Sequence, residues 1–149
     1  MRIIVFDPAY RDDLIFMVLQ AKDALGKIPA LNEDLLDIPK NYFARGDMFW
    51  IALDDKNRVI GSVGFHTIPD TTEVRLHRLY VKSSMKRQGI GTALLKTAEQ
   101  YVLSLGKTAV HVHLGGEEYF ESYSFYPKHG YQMYAPRFMK KIIGKGVDP

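Results

Sequence analysis

The most informative segment of this chain is Arg87-Gln88-Gly89-Ile90-Gly91-Thr92. The residues before it, Val74 to Val81, alternate apolar and polar side chains, which is typical of a β-strand. After it, apolar side chains recur at helical spacing as far as Leu105, and Gly106 then stops the helix. A glycine-rich turn between a strand and a helix gathers unpaired N–H groups at the positive end of the helix dipole. The stretch therefore predicts a binding site for a phosphate or pyrophosphate.

Basic side chains reinforce this prediction, and two familiar nucleotide-binding motifs do not fit. Lys82, Lys86 and Arg87 bring positive charge to the turn. The dinucleotide fingerprint needs a third glycine, but Leu94 stands three positions after Gly91. A P-loop needs Gly-Lys followed by Ser or Thr, and no lysine comes directly after Gly91. The ligand is thus predicted to be anionic and to be held by another kind of fold.

Two spaced segments carry a resemblance to a known family. The first is Leu79-Tyr80-Val81 followed by Lys86-Arg87-Gln88-Gly89-Ile90-Gly91-Thr92-Ala93-Leu94-Leu95, and the second is Phe125-Tyr126-Pro127-Lys128-His129-Gly130-Tyr131. The first resembles the acetyl-CoA signature Arg/Gln-x-x-Gly-x-Gly/Ala of the GNAT superfamily of N-acetyltransferases, with Lys86 at its first position. The second resembles the family's Phe-Tyr-x-x-x-Gly-Phe segment. Together with the order of elements, the resemblance covers nearly the whole chain.

The resemblance implies one N-acetyltransferase domain over residues 1–149 with an α/β (α+β) fold. Its centre is expected to be a GNAT-like mixed, mostly antiparallel sheet of about seven strands, flanked by about four helices. A bulge is expected to open the sheet into a V beside the strand over 73–81. That strand is predicted to lie parallel to one neighbour and to point its C-terminal end at the glycine turn, where open α/β sheets bind ligands.

Hydrophobic periodicity divides the chain into alternating strands and helices. Asn32 is predicted to cap the second helix, with Leu35 and Leu36 facing inward. Residues 144–149 are predicted to form a frayed tail. The predicted strands cover 2–6, 49–53, 58–66, 73–81, 108–114, 131–134 and 137–143, and the predicted helices cover 12–25, 32–42, 89–105 and 117–123.

The composition fits a single enzyme-sized domain of 149 residues. Hydrophobic residues make up 46%, which excludes a disordered chain. Because cysteine is absent, disulfides, thiolate metal sites and a cysteine acyl-enzyme are excluded. A net charge of +3 fits a local anionic cofactor better than a nucleic-acid tract. No apolar run has the length of a membrane span or a signal segment, so we expect a cytoplasmic protein.

The resemblance implies acetyl-CoA as the cosubstrate and assigns its contacts. The pantetheine arm is expected along the backbone of Leu79 and Val81, and the pyrophosphate at the amides from Arg87 to Thr92. An N–H near Leu79 is expected to stabilise the developing oxyanion, which contributes on the order of 3 kcal/mol. Tyr119 stands where the family usually has asparagine. The implied contacts are Leu79, Tyr80, Val81, Lys86, Arg87, Gln88, Gly89, Ile90, Gly91, Thr92, Tyr119 and Tyr126.

The resemblance also assigns Tyr126 as the general acid. Direct attack of an amine on the thioester expels a CoA thiolate, and a positioned phenol can protonate it. The general base is left open between Glu73 and His77, which share one face of the predicted strand because side chains alternate. In many relatives a glutamate stands six residues before Val81, but Arg75 occupies that position here.

Two further histidines, His111 and His113, alternate along the strand predicted over 108–114. Solvation or hydrogen bonding within the sheet would account for both. Two histidines on a strand without nearby carboxylates are weak evidence for a metal, so we expect no metal site.

The acceptor is expected beside residues 24–45, because the first two helices and their connection usually border the acceptor groove in the family. Acidic side chains there would attract a cationic amine, and apolar ones could line a wall. A small polyamine or amino-sugar, an amino acid, and a peptide α-amine or lysine are all candidate acceptors. A homodimer is compatible with the sequence, whereas nucleic-acid and membrane partners are not expected. The groove residues are Glu33, Asp34 and Asp37, with Leu25, Ile28, Leu31, Tyr42 and Phe43.

Two other classes of function stay open from the residues alone. A non-catalytic acyl-CoA-binding module would keep the glycine turn but lack competent acid–base groups, and Tyr126 argues against it. A nucleic-acid-binding protein would use Lys82, Lys86, Arg87 and Lys96 as a patch that tracks phosphates. The sequence contains no recognised nucleic-acid module, which favours the enzyme.

Overall fold

The computed structural model of the chain describes residues 1–116 and 120–144. Strands and α3 lie within one residue of the predicted bounds, as does α1, and β2 and β4 have the predicted bounds themselves. The strands are β1 (Arg2–Val5), β2 (Phe49–Leu53), β3 (Val59–Thr67), β4 (Glu73–Val81), β5 (Ala109–His113), β6 (Gln132–Ala135) and β7 (Phe138–Ile142). The α-helices are α1 (Arg11–Ala24), α2 (Ile38–Asn41), α3 (Ile90–Ser104) and α4 (Phe120–Lys128), and 3-10 helices cover Pro8–Tyr10, Glu33–Asp37, Phe43–Arg45 and Ser83–Met85.

The seven strands form one sheet in the order β1-β2-β3-β4-β5-β7-β6. Neighbouring strands are antiparallel except β4 and β5, which are parallel. A mixed, mostly antiparallel sheet with flanking helices confirms the predicted fold class.

β4 and β5 pair along only part of their length. Their pairing runs from Glu73↔Ala109 to Arg75↔His111 and ends there. The C-terminal half of β4 therefore parts from β5, and it forms one wall of the expected V-shaped opening.

A bulge in β4 lies next to this opening. The β3–β4 register shifts between the pairs Ser62↔Tyr80 and Gly64↔His77. Arg78 lies at the shift with a φ of 58°, a left-handed conformation that is uncommon for a residue with a side chain. The buried Ser62 donates its hydroxyl hydrogen to the Arg78 carbonyl oxygen at 2.7 Å. This hydrogen bond holds the bulge in place against β3.

Helices cover both faces of the sheet and build two apolar cores. Gly61 on β3 lets α3 approach closely, because a Cβ atom there would lie 2.8 Å from Leu94 Cδ1 and 3.1 Å from Ile90 Cγ2. The core on the α3 side includes Ile90, Leu94, Leu95, Ala98, Val102 and, from α4, Tyr126. The core on the α1 side includes Leu14, Met17, Val18, Leu35, Ile38 and Tyr42.

The predicted helix over 32–42 is wrong. A 3-10 helix and the short α2 replace it, because Asp37 leaves the helical region with φ −146° and ψ 78°. The Asp37 carboxylate then caps α2 by accepting from the Lys40 N–H at 3.0 Å. Pro39, which has no N–H to donate, suits the first turn of this new helix.

The residues that begin this segment also differ from the prediction. Asn32 makes no capping bond through its side chain; its amide oxygen accepts from the buried Lys22 ammonium at 2.9 Å instead. Leu35 is fully buried as predicted, but Leu36 is 43% exposed because the 3-10 helix turns it outward.

The predicted helix over 117–123 ends too early. Residues 117–119 lie outside the described part of the chain, and α4 continues to Lys128. Pro127 lies in the last turn of α4, where Tyr126 packs inward, and Gly130 follows with φ 92°. Within residues 1–116 and 120–144, no helix is both long enough and apolar enough to cross a bilayer.

Candidate active site

The glycine turn lies at the N-terminus of α3. Arg87 and Gly89 both have left-handed backbones, with φ values of 64° and 81°, and Arg87, Gln88 and Gly89 are exposed. Gly89 is the N-cap residue and makes no side-chain capping bond, and the first turn of α3 holds no acidic residue. The first N–H groups of α3 are therefore available to an anion, which the helix dipole also favours.

The end of β4 and α4 lie on either side of this turn. A Cβ atom on Gly91 would lie 3.5 Å from Val81 Cγ2 and 3.6 Å from the Phe125 ring. Ile90 is buried in the core, so its backbone and not its side chain faces the turn, and Leu79 packs against the same core. The residues predicted to bind the cofactor along β4 and at the turn are thus brought together at the mouth of the V.

Two side-chain contacts connect the turn to α4 and to the residue that follows it. Lys86 Nζ lies 3.4 Å from the Glu121 carboxylate on α4. The Thr92 hydroxyl lies 3.2 Å from Nε2 of His129, directly after α4. The sequence did not predict Glu121 or His129 as partners, because these contacts arise from the packing of α4 against the turn and have no motif of their own.

Tyr126 lies in α4 with its ring edge-on to the rings of Phe125 and Tyr131. It is 8% exposed. Burial raises the pKa of its phenol above the ordinary value, and Tyr80 on β4 raises it further. The phenol therefore keeps its proton at neutral pH and can donate it.

His77 lies on β4 immediately before the bulge, in a row of rings. The His66 ring is 4.5 Å from it between centroids, and Tyr42 stacks on His66 at 4.4 Å. Burial, the neighbouring His66, and the Arg78 and Arg75 cations lower the pKa of His77 to about 4. The imidazole is therefore neutral at neutral pH and can accept a proton.

Glu73, the other predicted base, is engaged with the next strand. Nε2 of His111 donates to the Glu73 carboxylate at 2.7 Å, and Nδ1 of His111 lies 2.9 Å from the Tyr134 hydroxyl. The His113 ring stacks on Phe138 at 4.4 Å. Both histidines thus have partners within the sheet, and the described residues contain no group of three or more side chains suited to hold a metal ion.

The acidic residues near the expected acceptor groove have protein partners. Asp34 accepts from Arg78 at 2.8 Å through one carboxylate oxygen and from the Tyr42 hydroxyl at 2.6 Å through the other. Burial acts to raise the pKa of Asp34, but the hydrogen bonds from Arg78 and Tyr42 outweigh it and hold the pKa below the ordinary value. Asp37 caps α2. Arg78 therefore compensates the charge of Asp34, whereas the Asp37 carboxylate is engaged with the backbone of α2.

Ser62 and Arg78 shape the bulge, and the sequence predicted neither role. A left-handed arginine has no sequence signature, and a buried serine in a strand is ordinary in composition. His111 did have a signal, its alternation with His113, but the pairing with Glu73 depends on the parallel register of β4 and β5. Tyr119, predicted to contact the cofactor, lies outside the described residues.

Comparison with known proteins identifies the family. Residues 18–131 match the model of the Acetyltransferase (GNAT) family. This match covers well over half of the chain, and it includes β4, the glycine turn and Tyr126. The chain belongs to the GNAT acetyltransferase family.

Its curated relatives are longer proteins. N-acetyltransferase 8 of Homo sapiens is 36% identical over 87 residues, which are 55% of this chain and 38% of that protein. N-acetyltransferase family 8 member 2 of Rattus norvegicus is 30% identical over 124 residues, which are 78% of this chain and 54% of that protein. The chain thus spans about half or less of the length of these relatives.

Solved structures share the fold across nearly the whole chain. An acetyltransferase of the GNAT family from Staphylococcus aureus Mu50 has a TM-score of 0.85 and 19% identity, covering 95% of this chain and 98% of its own. An aminoglycoside 6'-N-acetyltransferase complexed with coenzyme A has a TM-score of 0.75 and 21% identity, covering 99% and 100%. At these identities the likeness concerns the fold.

Proposed function

We propose that this chain is an N-acetyltransferase that moves an acetyl group from acetyl-CoA to a primary amine by direct attack in a ternary complex. Family membership and the names of the matched relatives support acetyl transfer. The observation that carries the proposal is the parting of β4 from β5 with the uncapped N-terminus of α3 at the mouth of the V. This opening offers a backbone edge for an extended arm and an anion site at its end.

The residues at the turn fit acetyl-CoA. The first N–H groups of α3 and the Arg87 and Lys86 cations suit a pyrophosphate. The first turn of α3 contains no acidic residue, so no carboxylate there would repel the phosphates. The backbone of Leu79, Tyr80 and Val81 suits the pantetheine arm, in the manner of an added strand. Coenzyme A is bound in the aminoglycoside acetyltransferase that shares the fold, which supports this assignment.

Acetyl-CoA, when bound, supplies an activated acetyl thioester. The Leu79 N–H is the donor that we assign to its carbonyl oxygen, because it lies directly after the bulge at Arg78. Tyr126 is the acid that we assign to the leaving thiolate. Support for Tyr126 comes from its position in the Phe-Tyr segment of the sequence and from its retained proton.

His77 is the better candidate for the base. It lies two positions before Leu79 on β4, whereas Glu73 lies six positions before and is occupied by His111. Because His77 is neutral, it can take up the proton that the amine loses as the new bond forms. Its low pKa makes it a weak base, so the acceptor must enter largely as the neutral amine.

Release of free thiol from acetyl-CoA in the presence of a panel of primary amines tests the proposal. We expect thiol release that depends on the amine. The product should be about 42 Da heavier than the acceptor, because one acetyl group replaces one hydrogen. Calorimetric binding of acetyl-CoA without thiol release for any amine would instead identify a non-catalytic acyl-CoA-binding module.

A further inference from the structure

Arg75 occupies the point where β4 and β5 part. It forms the last register pair of these strands, with His111, and beyond it no pairing joins them. Val74 and Leu76 are buried in the core on the α3 side, so Arg75 points to the opposite face together with Glu73 and His77. This face is the side of the V on which His77 lies.

The Arg75 guanidinium lacks an anionic partner in the described residues. Its Nε atom is buried and makes no hydrogen bond, although the residue as a whole is only partly buried. The carboxylates nearby are taken, since Glu73 pairs with His111 and Asp34 pairs with Arg78. A buried donor without a partner is destabilising, because it has given up its hydrogen bond to water, so the site favours a ligand that satisfies it.

A flat aromatic wall adjoins this cation. The Arg75 guanidinium carbon lies 5.8 Å from the centre of the Phe138 ring. His113 stacks on Phe138 at an angle of 4°, and the centre of the Tyr134 ring lies 6.0 Å from that of Phe138. At this distance the guanidinium and the ring form a cation–π pair, and the planar fork of the guanidinium suits a two-pronged contact with a carboxylate.

We propose that Arg75 binds a carboxylate of the acceptor, so that the acceptor is an amino acid or a similar amine with a carboxylate close to its nitrogen. This inference rests on the proposed acetyl transfer. Arg75 and His77 are alternate residues of one strand face, about 7 Å apart between Cα atoms. In this proposal an α-amino acid lies between them, with its amine toward His77 and its carboxylate toward the Arg75 guanidinium.

The same charge helps the chemistry of the amine. After burial, His66 and Arg78, the Arg75 cation contributes to the lowered pKa of His77, so its field reaches that side chain. A positive field also favours the neutral form of an amine over its ammonium form. Arg75 thus both holds the carboxylate and opposes protonation of the nitrogen beside it, whereas a glutamate at this position would do neither.

Matched pairs of acceptors test the inference. Thiol release is measured with L-phenylalanine and L-phenylalaninamide, and with L-methionine and L-methioninamide, which differ only in the carboxylate. Amidation changes the pKa of the amine, so each compound is compared between wild type and variant. We expect Arg75→Met to lower kcat/KM for the acids about 10- to 100-fold and for the amides less than about 3-fold. Arg75→Lys keeps the charge but not the planar fork, and it should recover only part of the loss.

Lys140→Met is the matched control, because it removes a cation from the same face, where Lys140 lies over the Tyr134 ring at 5.5 Å. It should leave the preference for acids unchanged. Equal losses in Arg75→Met and Lys140→Met, or equal losses for acids and amides, would overturn the assignment to Arg75. Circular dichroism and thermal melting of each variant exclude misfolding as the cause. If amides are acetylated but the acids are not, the inference fails and the proposed function stands; if no amine is acetylated, the proposed function fails.

Discussion

Asp34 and Arg78 form a two-pronged ion pair that joins the 3-10 helix before α2 to the bulge of β4. The Arg78 guanidinium donates through Nε at 3.1 Å and through its terminal nitrogen at 2.8 Å. Tyr42 donates to the same carboxylate, so Asp34 connects the segment around Tyr42 to the bulge. The side chains are 19% and 30% exposed, which places the pair between a buried and a surface salt bridge.

Removal of Asp34 should therefore destabilise the fold. Asp34→Ala leaves the Tyr42 hydroxyl and the Arg78 guanidinium without their acceptor, so we expect the free energy of unfolding to fall by about 1–3 kcal/mol. Urea denaturation measures this change. The control is Asp12→Ala, which breaks the exposed pair with Arg11 and should change stability by less than about 0.5 kcal/mol. Similar losses in the two variants would contradict a structural role for the pair.

Tyr126→Phe should slow acetyl transfer without weakening acetyl-CoA binding. The substitution keeps the packed ring and removes the proton that we assign to the leaving thiolate. We expect kcat to fall by about 100-fold, with thiol release as the readout and calorimetry as the measure of affinity. Tyr131→Phe removes a buried hydroxyl that donates to Glu99 at 2.8 Å and is the matched control for loss of a phenol. Full activity of Tyr126→Phe would show that water protonates the thiolate.

Gly89→Ala should weaken acetyl-CoA binding at the N-terminus of α3. The left-handed φ of 81° disfavours any side chain, and a methyl group would project toward a bound pyrophosphate. Gly106→Ala places the same strain, also at a φ of 81°, at the other end of α3. We expect both variants to lose about 1 kcal/mol of stability, but only Gly89→Ala to lose about 10-fold or more in affinity by calorimetry. Equal affinity for acetyl-CoA in the two variants would contradict an anion site at the turn.

Gly91→Val tests the same turn from its inner side. A single Cβ atom fits at ordinary distances from Val81 and Phe125, but a branched side chain crowds both. We expect acetyl-CoA binding to be lost while circular dichroism still reports the fold. Unchanged affinity in a folded variant would contradict the proposed pyrophosphate site.

Replacement of the base should change the rate but not the pH at which activity rises. Because the pKa of His77 is about 4, this imidazole is already deprotonated wherever the enzyme is assayed, and kcat/KM should rise with the ionisation of the acceptor amine. His77→Asn should lower kcat about 10-fold across that range. Glu73→Gln is the comparison, and a larger loss there with a shifted acidic limb would reassign the base to Glu73.

His77 should also make stability depend on pH. Its pKa falls from about 6.5 in the unfolded chain to about 4 in the fold, so the unfolded state binds more protons between these values. The contribution of His77 is therefore complete above about pH 6.5 and is lost as the pH falls toward about 4. Between pH 7 and pH 4.5, we expect wild type to lose more stability than His77→Asn in urea titrations. Parallel losses would show that the imidazole is not buried as described.

The strands were predictable because their signals are local. β4 alternates Glu73, Arg75 and His77 with the buried Val74 and Leu76, and this period sets both its bounds and its faces. α3 was predictable for a similar reason, since apolar residues recur on one face between Gly89 and Gly106. The turn between them followed from the order of these elements.

Features that depend on distant contacts were not predictable. The break at Asp37 is different, because Asp37 and Pro39 are themselves a local signal for the start of a new helix, which the prediction of one helix over 32–42 overlooked. The pairing of Glu73 with His111 requires the register of two parallel strands that are far apart in the sequence. Among the described residues, the isolation of Arg75 from carboxylates is likewise a property of the assembled sheet, since Glu73 stands only two positions away in the sequence but pairs with His111.

Gly61 on β3 determines how closely the N-terminal end of α3 packs against the sheet. Its missing side chain leaves room for Ile90, the first residue of α3, and for Leu94 one turn later. Even a methyl group there would push this end of the helix outward, and the uncapped amides would move with it because the turn is continuous with α3. The distance between the anion site and the open edge of β4 is therefore set by a residue with no atom in either one, and enlargement at position 61 would mismatch the site to a ligand of fixed length.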